Sequence, residues 1–267
     1  MGRPAIIHKS PADLAVPPNL ADYAAACHAF SWDAARRELA GLPGGGLNIA
    51  HEAVDRHAQG QHDISYRELS RLTNRFANVL KTLGIQRGER VFVLTGRIPE
   101  LYTAVLGCFK NGCVVLPLFS AFGPEPLVTR LKLGEGAVLV STDGLYERKV
   151  AKVRAQLPAL RQVLLVSDEG QPTDIPGTHD LAGLMTKASE DFDIVATQPD
   201  DPALLHFTSG TTGTPRGAMH VHGAVVTHWA TGRYALDLHP EDIFWCTADP
   251  GWVTGTPTAL SRRCCMA

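Results

Sequence analysis

Between residues 207 and 222 the chain reads FTSGTTGTPRGAMHVH, a run of small hydroxylated residues and glycines followed by a single cation. Thr208, Ser209, Gly210, Thr211, Thr212, Gly213 and Thr214 supply backbone N–H groups that glycines allow to converge, and hydroxyls that donate as well. Such a nest binds phosphate oxygens. Arg216 adds a permanent cation able to grip phosphate oxygens two at a time. The loop matches neither the P-loop pattern, GxxxxGK followed by Ser or Thr, nor the dinucleotide pattern GxGxxG. Gly and Thr content by itself also suits a flexible linker. Phe207 closes an apolar run with Ala203, Leu204 and Leu205 that reads as a short buried strand, while Val225, Val226, Trp229 and Tyr234 recur at helical spacing. The loop is therefore expected between a strand and a helix, where α/β proteins bind phosphate and a helix N-terminus adds partial positive charge.

A second segment, DIFWCTADPGWVTGT at 242–256, sets Trp252, Val253 and Thr254 behind a Pro250-Gly251 turn. Taken alone, Trp252 reads as a core aromatic packed behind that turn. His220 and His222 form an HxH pair without a third ligand, so no metal centre is expected there. The six cysteines show neither a CxxC pair nor a zinc spacing, and Cys108 and Cys113 fall in apolar stretches, as reduced core thiols do.

These segments need a scaffold, and the 267 residues, 45% hydrophobic and 19% charged, are enough for a substantial core. A formal charge of −2 supplies no basic field, which argues against nucleic acid and anionic membranes as partners. The N-terminus lacks a long apolar stretch, Ile6 stands where myristoylation wants Ser or Thr, and the longest apolar run, 113–119, is too short to span a bilayer. A soluble, cytoplasmic protein is expected.

Residues 1–47 read as an N-terminal lead-in segment, with Pro17-Pro18, a short helix near 22–30 and an LPGGG linker at 42–46. The pattern then becomes regular. Ser65-Tyr66-Arg67-Glu68 is a capping box for a helix carrying Leu69, Leu72, Phe76, Val79, Leu80 and Leu83 on one face, and Gly84 closes it. Strands are predicted at 91–94, 114–119, 137–140 and 163–166, and helices from Pro99 through Phe109, at 127–133 and at 146–157. Residues 168–200 read as a surface excursion with a helix at 181–187 and an acidic, solvated run at 189–193. Short apolar strands alternating with amphipathic helices predict a doubly wound α/β fold, with mainly parallel sheets and flanking helices.

With these pieces in order, the chain resembles the AMP-forming acyl-CoA synthetases, a family of adenylate-forming enzymes, and their acetyl-CoA synthetase branch in particular. The likeness is carried by TSGTTGTPRG, by DIFWCTADPGWVTGT, by NIAHEAVDRHA at 48–58 and by SYRELSRLTNRFANVLKTLGIQRGERVFVL, nearly everything from residue 48 to about 257. It implies a reaction that joins a carboxylate to the α-phosphate of ATP, releases pyrophosphate, and passes the acyl group from AMP to CoA. By that likeness Thr208, Ser209, Gly210, Thr211, Thr212 and Gly213 hold the pyrophosphate, with Mg2+ bridging its oxygens. Arg216 stands where Lys is commoner, and Thr214 where a further Lys is frequent. Trp252, Val253 and Thr254 match positions lining a small acyl pocket, which points to acetate or propionate as the acid. Arg130 falls where relatives keep an Arg near the CoA phosphates, although Phe119-Ser120-Ala121-Phe122 departs from the Gly-Gly pair many of them have. No residue is assigned as catalytic. A carboxylate nucleophile needs no general base, so Asp249 is read as structural.

The resemblance divides the chain into a partial AMP-binding large domain at 48–260 and an aberrant tail, SRRCCMA, at 261–267, with the small C-terminal domain absent. Two expectations follow. One is an acetate–CoA ligase using ATP, Mg2+ and CoA; the other is a truncated, non-catalytic remnant with at most weak phosphate binding.

Overall fold

The computed structural model describes residues 16–53, 64–208, 215–242, 244, 246–252 and 255. Helices α1 (Tyr23–Ala29) and α2 (Trp32–Arg37) open the described chain, each with a side-chain cap, Asp22 accepting from the Ala25 amide and Ser31 from the Ala34 amide. The LPGGG stretch is tied down on both sides. Arg36 donates to the Gly45 and Gly46 carbonyls, and the Leu47 amide to the carbonyl of Thr197. In α3 (Ile49–Ala53) the fully buried Glu52 accepts the Ala40 and Gly41 amides at 3.0 and 2.6 Å. Asn48, just before α3, is fully buried and donates to the Phe109 carbonyl at 2.7 Å. Asn48 and Glu52 are thus matched to partners, and the lead-in residues share the main core.

Among the described residues that core is built on seven strands, β1 (Arg90–Leu94), β2 (Val114–Pro117), β3 (Val138–Thr142), β4 (Gln162–Val166), β5 (His179–Asp180), β6 (Pro202–Thr208) and β7 (Arg216–Val221). Their order in the sheet is β5-β4-β3-β1-β2-β6-β7, parallel throughout except for the β6–β7 pair. One face is covered by α4 (Tyr66–Thr82), α5 (Pro99–Lys110), α8 (Leu181–Lys187) and α9 (Ala224–Tyr234), the other by α6 (Pro124–Gly134) and α7 (Asp143–Lys149). Strand β1 shows why both faces must be covered. Val91 and Val93 pack on the first side, Phe92 and Leu94 on the second, and all four are buried. The doubly wound α/β expectation holds.

Two local expectations are corrected. The helix expected at 146–157 ends at Lys149, with Val150 as its cap at a φ of −116°, and the chain continues as a 3-10 turn at Ala151–Gln156. The residues after the Gly/Thr loop form β7, not a helix. Hairpin pairing satisfies the backbone groups of β6 that an open edge would leave bare, and the helix expected from the spacing of Val225, Val226, Trp229 and Tyr234 follows it as α9 from Ala224. The acidic run at 189–193 is largely exposed, as expected, and is also tied to α4: Glu190 pairs with Arg75 at 2.8 Å, and Asn74 and Asn78 donate to backbone carbonyls there.

Cys108 and Cys113 are buried free thiols, as expected, and burial raises both pKa values, that of Cys113 to about 11. Among the described residues no group of three His, Cys, Asp or Glu side chains could hold a metal, and no helix is long and apolar enough to cross a membrane. His222 of the HxH pair is fully buried, its Nδ1 accepting from the Ile49 amide at 3.3 Å and its ring edge-on to Phe109 at 5.9 Å. It pins the start of α3 to the end of β7.

Two stability predictions follow. Helices α4 and α5 meet where Gly107 has no side chain, and a Cβ there would lie 2.8 Å from the Phe76 ring and 2.9 Å from the Thr73 carbonyl. Gly107→Ala should lower unfolding free energy by about 1–3 kcal/mol in urea denaturation, the usual cost of overpacking. The second concerns pH. Burial pulls the pKa of His206 and of His222 down to about 4, so each imidazole takes up its proton more readily in the unfolded chain. Their contribution is complete above the unfolded value of about 6.5 and is lost as pH falls from there to about 4, at most roughly 3 kcal/mol apiece. His222→Asn, which keeps an acceptor for the Ile49 amide, should flatten the fall in stability between pH 7 and pH 4.5; an unchanged slope would rule His222 out as a source.

Candidate functional site

In an open parallel sheet, ligands collect outside the carboxyl ends of the strands, at the point where successive connections leave for opposite faces. Here that point lies between β1 and β2. The chain leaves β1 for α5 on one face and leaves β2 for α6 on the other. Strand β6 pairs parallel to β2, with Leu204 opposite Val115, so the Gly/Thr loop departs from the same edge of the sheet.

Of the residues expected to hold phosphate, Thr208 and Arg216 are described, while Ser209, Gly210, Thr211, Thr212, Gly213 and Thr214 lie outside the described residues. Thr208 ends β6 and faces Arg216, the first residue of β7, across the antiparallel ladder. Its hydroxyl donates to the Arg216 carbonyl at 3.3 Å. Both residues are exposed, so the two stems of the loop present a hydroxyl and a guanidinium together at the carboxyl edge. Two positions before Thr208, His206 is 1% exposed, and its Nε2 has no partner among the described residues. Its ring meets that of His220 edge-on at 5.9 Å. Burial first, then the neighbouring His220 and His228, hold its pKa near 4, which leaves the imidazole neutral beneath the stem.

The second motif crosses this edge as an irregular segment. Val253 and Thr254 lie outside the described residues, whereas Trp252 is described and 56% exposed, not a core aromatic. Its indole is edge-on to Phe119, just past β2, with 6.0 Å between ring centroids. Gly251 explains the closeness. A Cβ on it would run into the backbone of Leu118 and Phe119, so only glycine lets the two segments touch. Both oxygens of Asp249 are engaged, Oδ1 accepting from the Gly251 amide at 2.8 Å and Oδ2 from Ser120 Oγ at 3.0 Å. The side chain thus shapes the turn. On the β1 side, Arg97 donates to the carbonyls of Thr247 and Ala248. Sequence reasoning missed Arg97, Ser120 and Lys149, the last of which donates to the Ser120 and Phe122 carbonyls. Nothing in their spacing announces a contact so distant along the chain.

Arg130 sits in α6 beside this region, but only 8% exposed. Its guanidinium lies 4.1 Å from the centre of the Phe122 ring and donates to the Pro126 carbonyl at 2.8 Å. In this arrangement its charge is covered by Phe122. A cavity of about 430 Å3 between α1, α2 and α9, lined by Tyr23, Phe30, Trp229 and Arg233, touches none of the expected site residues.

A fold with a Gly/Thr hairpin loop and an irregular aromatic segment at one switch point can be compared with known proteins. A family model described as AMP-binding enzyme matches residues 48–261. The acetyl-coenzyme A synthetase of Bacillus subtilis (strain 168) is 38% identical over 254 residues, a span of 89% of this chain and 44% of that protein. The acetyl-coenzyme A synthetase of Syntrophus aciditrophicus (strain SB) is 35% identical over 241 residues, 79% of this chain and 37% of that one. Among solved structures, the acyl-CoA synthetase of Brucella canis superposes with a TM-score of 0.83 at 27% identity, covering 92% of this chain and 46% of its own. The chain spans less than half the length of the curated relatives it matches. The matched stretch takes in every strand of the sheet together with the loop and the segment at its switch point, and the chain belongs to the AMP-binding enzyme family.

Proposed function

We propose that this chain supplies the pyrophosphate side and part of the carboxylate pocket of an acetate–CoA ligase (AMP-forming). The observation that carries the reading is the juxtaposition at one sheet edge of the TSGTTGTPRG stems, Thr208 and Arg216, with the segment that ends in Trp252. The chemical difficulty of the reaction is bringing an anionic carboxylate up to a polyanionic triphosphate, so positioning and positive charge dominate. Thr208, Ser209, Gly210, Thr211, Thr212 and Gly213 would hold the β- and γ-phosphates through hydroxyls and backbone N–H groups. Arg216 would offset charge gathering on the leaving pyrophosphate. Hydroxyl and guanidinium groups suit phosphate oxygens rather than a metal cation, so Mg2+ would arrive on ATP, where it neutralises the phosphates. Trp252, Val253 and Thr254 would close the pocket around a two- or three-carbon acid, acetate or propionate. Arg130 would meet CoA phosphates only once Phe122 moves off its guanidinium. Soluble, cytoplasmic use of ATP, CoA and a small carboxylate completes the reading.

A second reading is phosphate binding without turnover. The two differ in one assay. Purified chain should exchange labelled pyrophosphate into ATP when acetate is added; phosphate binding with no acetate-dependent exchange supports the second reading instead. Where exchange is seen, Gly213→Val should reduce it by about 100-fold or more, the scale of losing a preorganised oxyanion contact. Normal exchange in that variant would remove the loop from the phosphate site.

A further inference from the structure

Among the described residues the segment at 246–252 has no strand partner, yet one cation from elsewhere in the chain binds it directly and a second binds the loop against which it packs. Arg97, three residues beyond the end of β1, donates through Nε and Nη2 to two consecutive carbonyls, those of Thr247 and Ala248. Lys149, in the last turn of α7, donates to the carbonyls of Ser120 and Phe122, the latter at 2.7 Å. Ser120 in turn donates to Asp249, and Asp249 accepts the Gly251 amide. The chain of contacts runs from α7 through the loop after β2 into the turn that carries Trp252.

Two features set this arrangement apart from incidental surface pairing. Both cations bind main-chain carbonyls, acceptors that irregular backbone must otherwise leave to water, and hydrogen bonds from a charged donor are the stronger kind. The carbonyls also belong to the two segments that face each other across the crevice, with Gly251 pressed against the Leu118–Phe119 peptide and the Trp252 and Phe119 rings at 6.0 Å. Whatever shifts the loop at 118–122 or the segment at 246–252 changes that gap. We infer that Arg97 and Lys149 are positioning residues that hold these two segments in register and thereby set how long a carboxylate tail the opening beside Trp252 admits. The inference deepens the proposed function and rests on its reading of Trp252 as a pocket wall.

The test uses the full chain and the variants Arg97→Met, Lys149→Met and Lys149→Arg. Amide hydrogen exchange is read at residues 246–252, with β1 and β3 amides as the control for folding. Each Met variant should speed exchange at Gly251 and Trp252 by about tenfold, what loss of a charge-assisted hydrogen bond produces, while β1 and β3 are unchanged. Lys149→Arg should restore slow exchange. Unchanged exchange at 246–252 in both Met variants would overturn the inference. A variant that loosens β1 and β3 as well reports unfolding, and the other Met variant then decides. In carboxylate-dependent pyrophosphate exchange, the Met variants should raise KM for acetate about tenfold with KM for ATP unmoved, and should admit butanoate relatively better; equal rises in both KM values would mark a merely structural role. If the unmodified chain shows no exchange with any carboxylate, the pocket reading falls, and amide exchange alone decides whether the two cations hold the segment.

Discussion

The structure depends on where β1 sits. It is the first strand made and lies in the interior of the sheet, with β2 on one side and β3 on the other, parallel to both. A parallel neighbour can be reached only by a crossover, and crossovers in one sheet share one hand. Going to β2 therefore sends α5 over one face, and returning past β1 to β3 sends α6 over the other. A crevice is left at the carboxyl ends of β1 and β2. Both segments read from the sequence as chemical converge there, although about 90 residues separate β2 from the Gly/Thr loop that β6 brings beside it.

What fills the crevice is irregular backbone, and that has an energetic consequence. Strands and helices satisfy their own N–H and C=O groups, while a loop must find partners elsewhere. Here the partners are the long side chains of Arg97 and Lys149, the short ones of Ser120 and Asp249, and the direct contact that Gly251 permits. The same logic operates at the opposite end of the fold. Asn48, Glu52 and His222 lock the lead-in residues to α5, to the end of β7 and to one another through buried hydrogen bonds. Polar groups at both ends fix positions that apolar packing alone would leave loose.

Most of the scaffold was legible in the sequence, because its elements obey local rules. The Ser65 capping box, the apolar face through Phe76 and Leu80, and the all-apolar runs of β1 and β4 lie where periodicity puts them. The misreadings cluster where a distant partner decides. The helical spacing from Val225 onward does mark α9, but it placed a helix directly after the Gly/Thr loop, where the open edge of β6 instead pairs with Arg216–Val221. Residues 189–193 are as exposed as their charge count suggests, but which side chains receive them, those of Asn74, Arg75 and Asn78, is set by the face of α4. The short β5 has no sequence signal beyond two residues and exists because β4 offers it an edge.

The sequence by itself determined the class of fold, the family, and the residue types able to meet phosphate, since a Gly/Thr loop and a guanidinium are chemistry that needs no context to name. Tertiary structure alone decided which of them meet. It set Thr208 against Arg216 across a hairpin, stood Trp252 beside Phe119 in the open, and drew Arg130 under Phe122. It also recruited Arg97 and Lys149, whose types and neighbours are those of ordinary surface cations. The reason is physical: propensity and periodicity act over a few residues, whereas the partner of an unpaired carbonyl is chosen by where the whole sheet brings the chain.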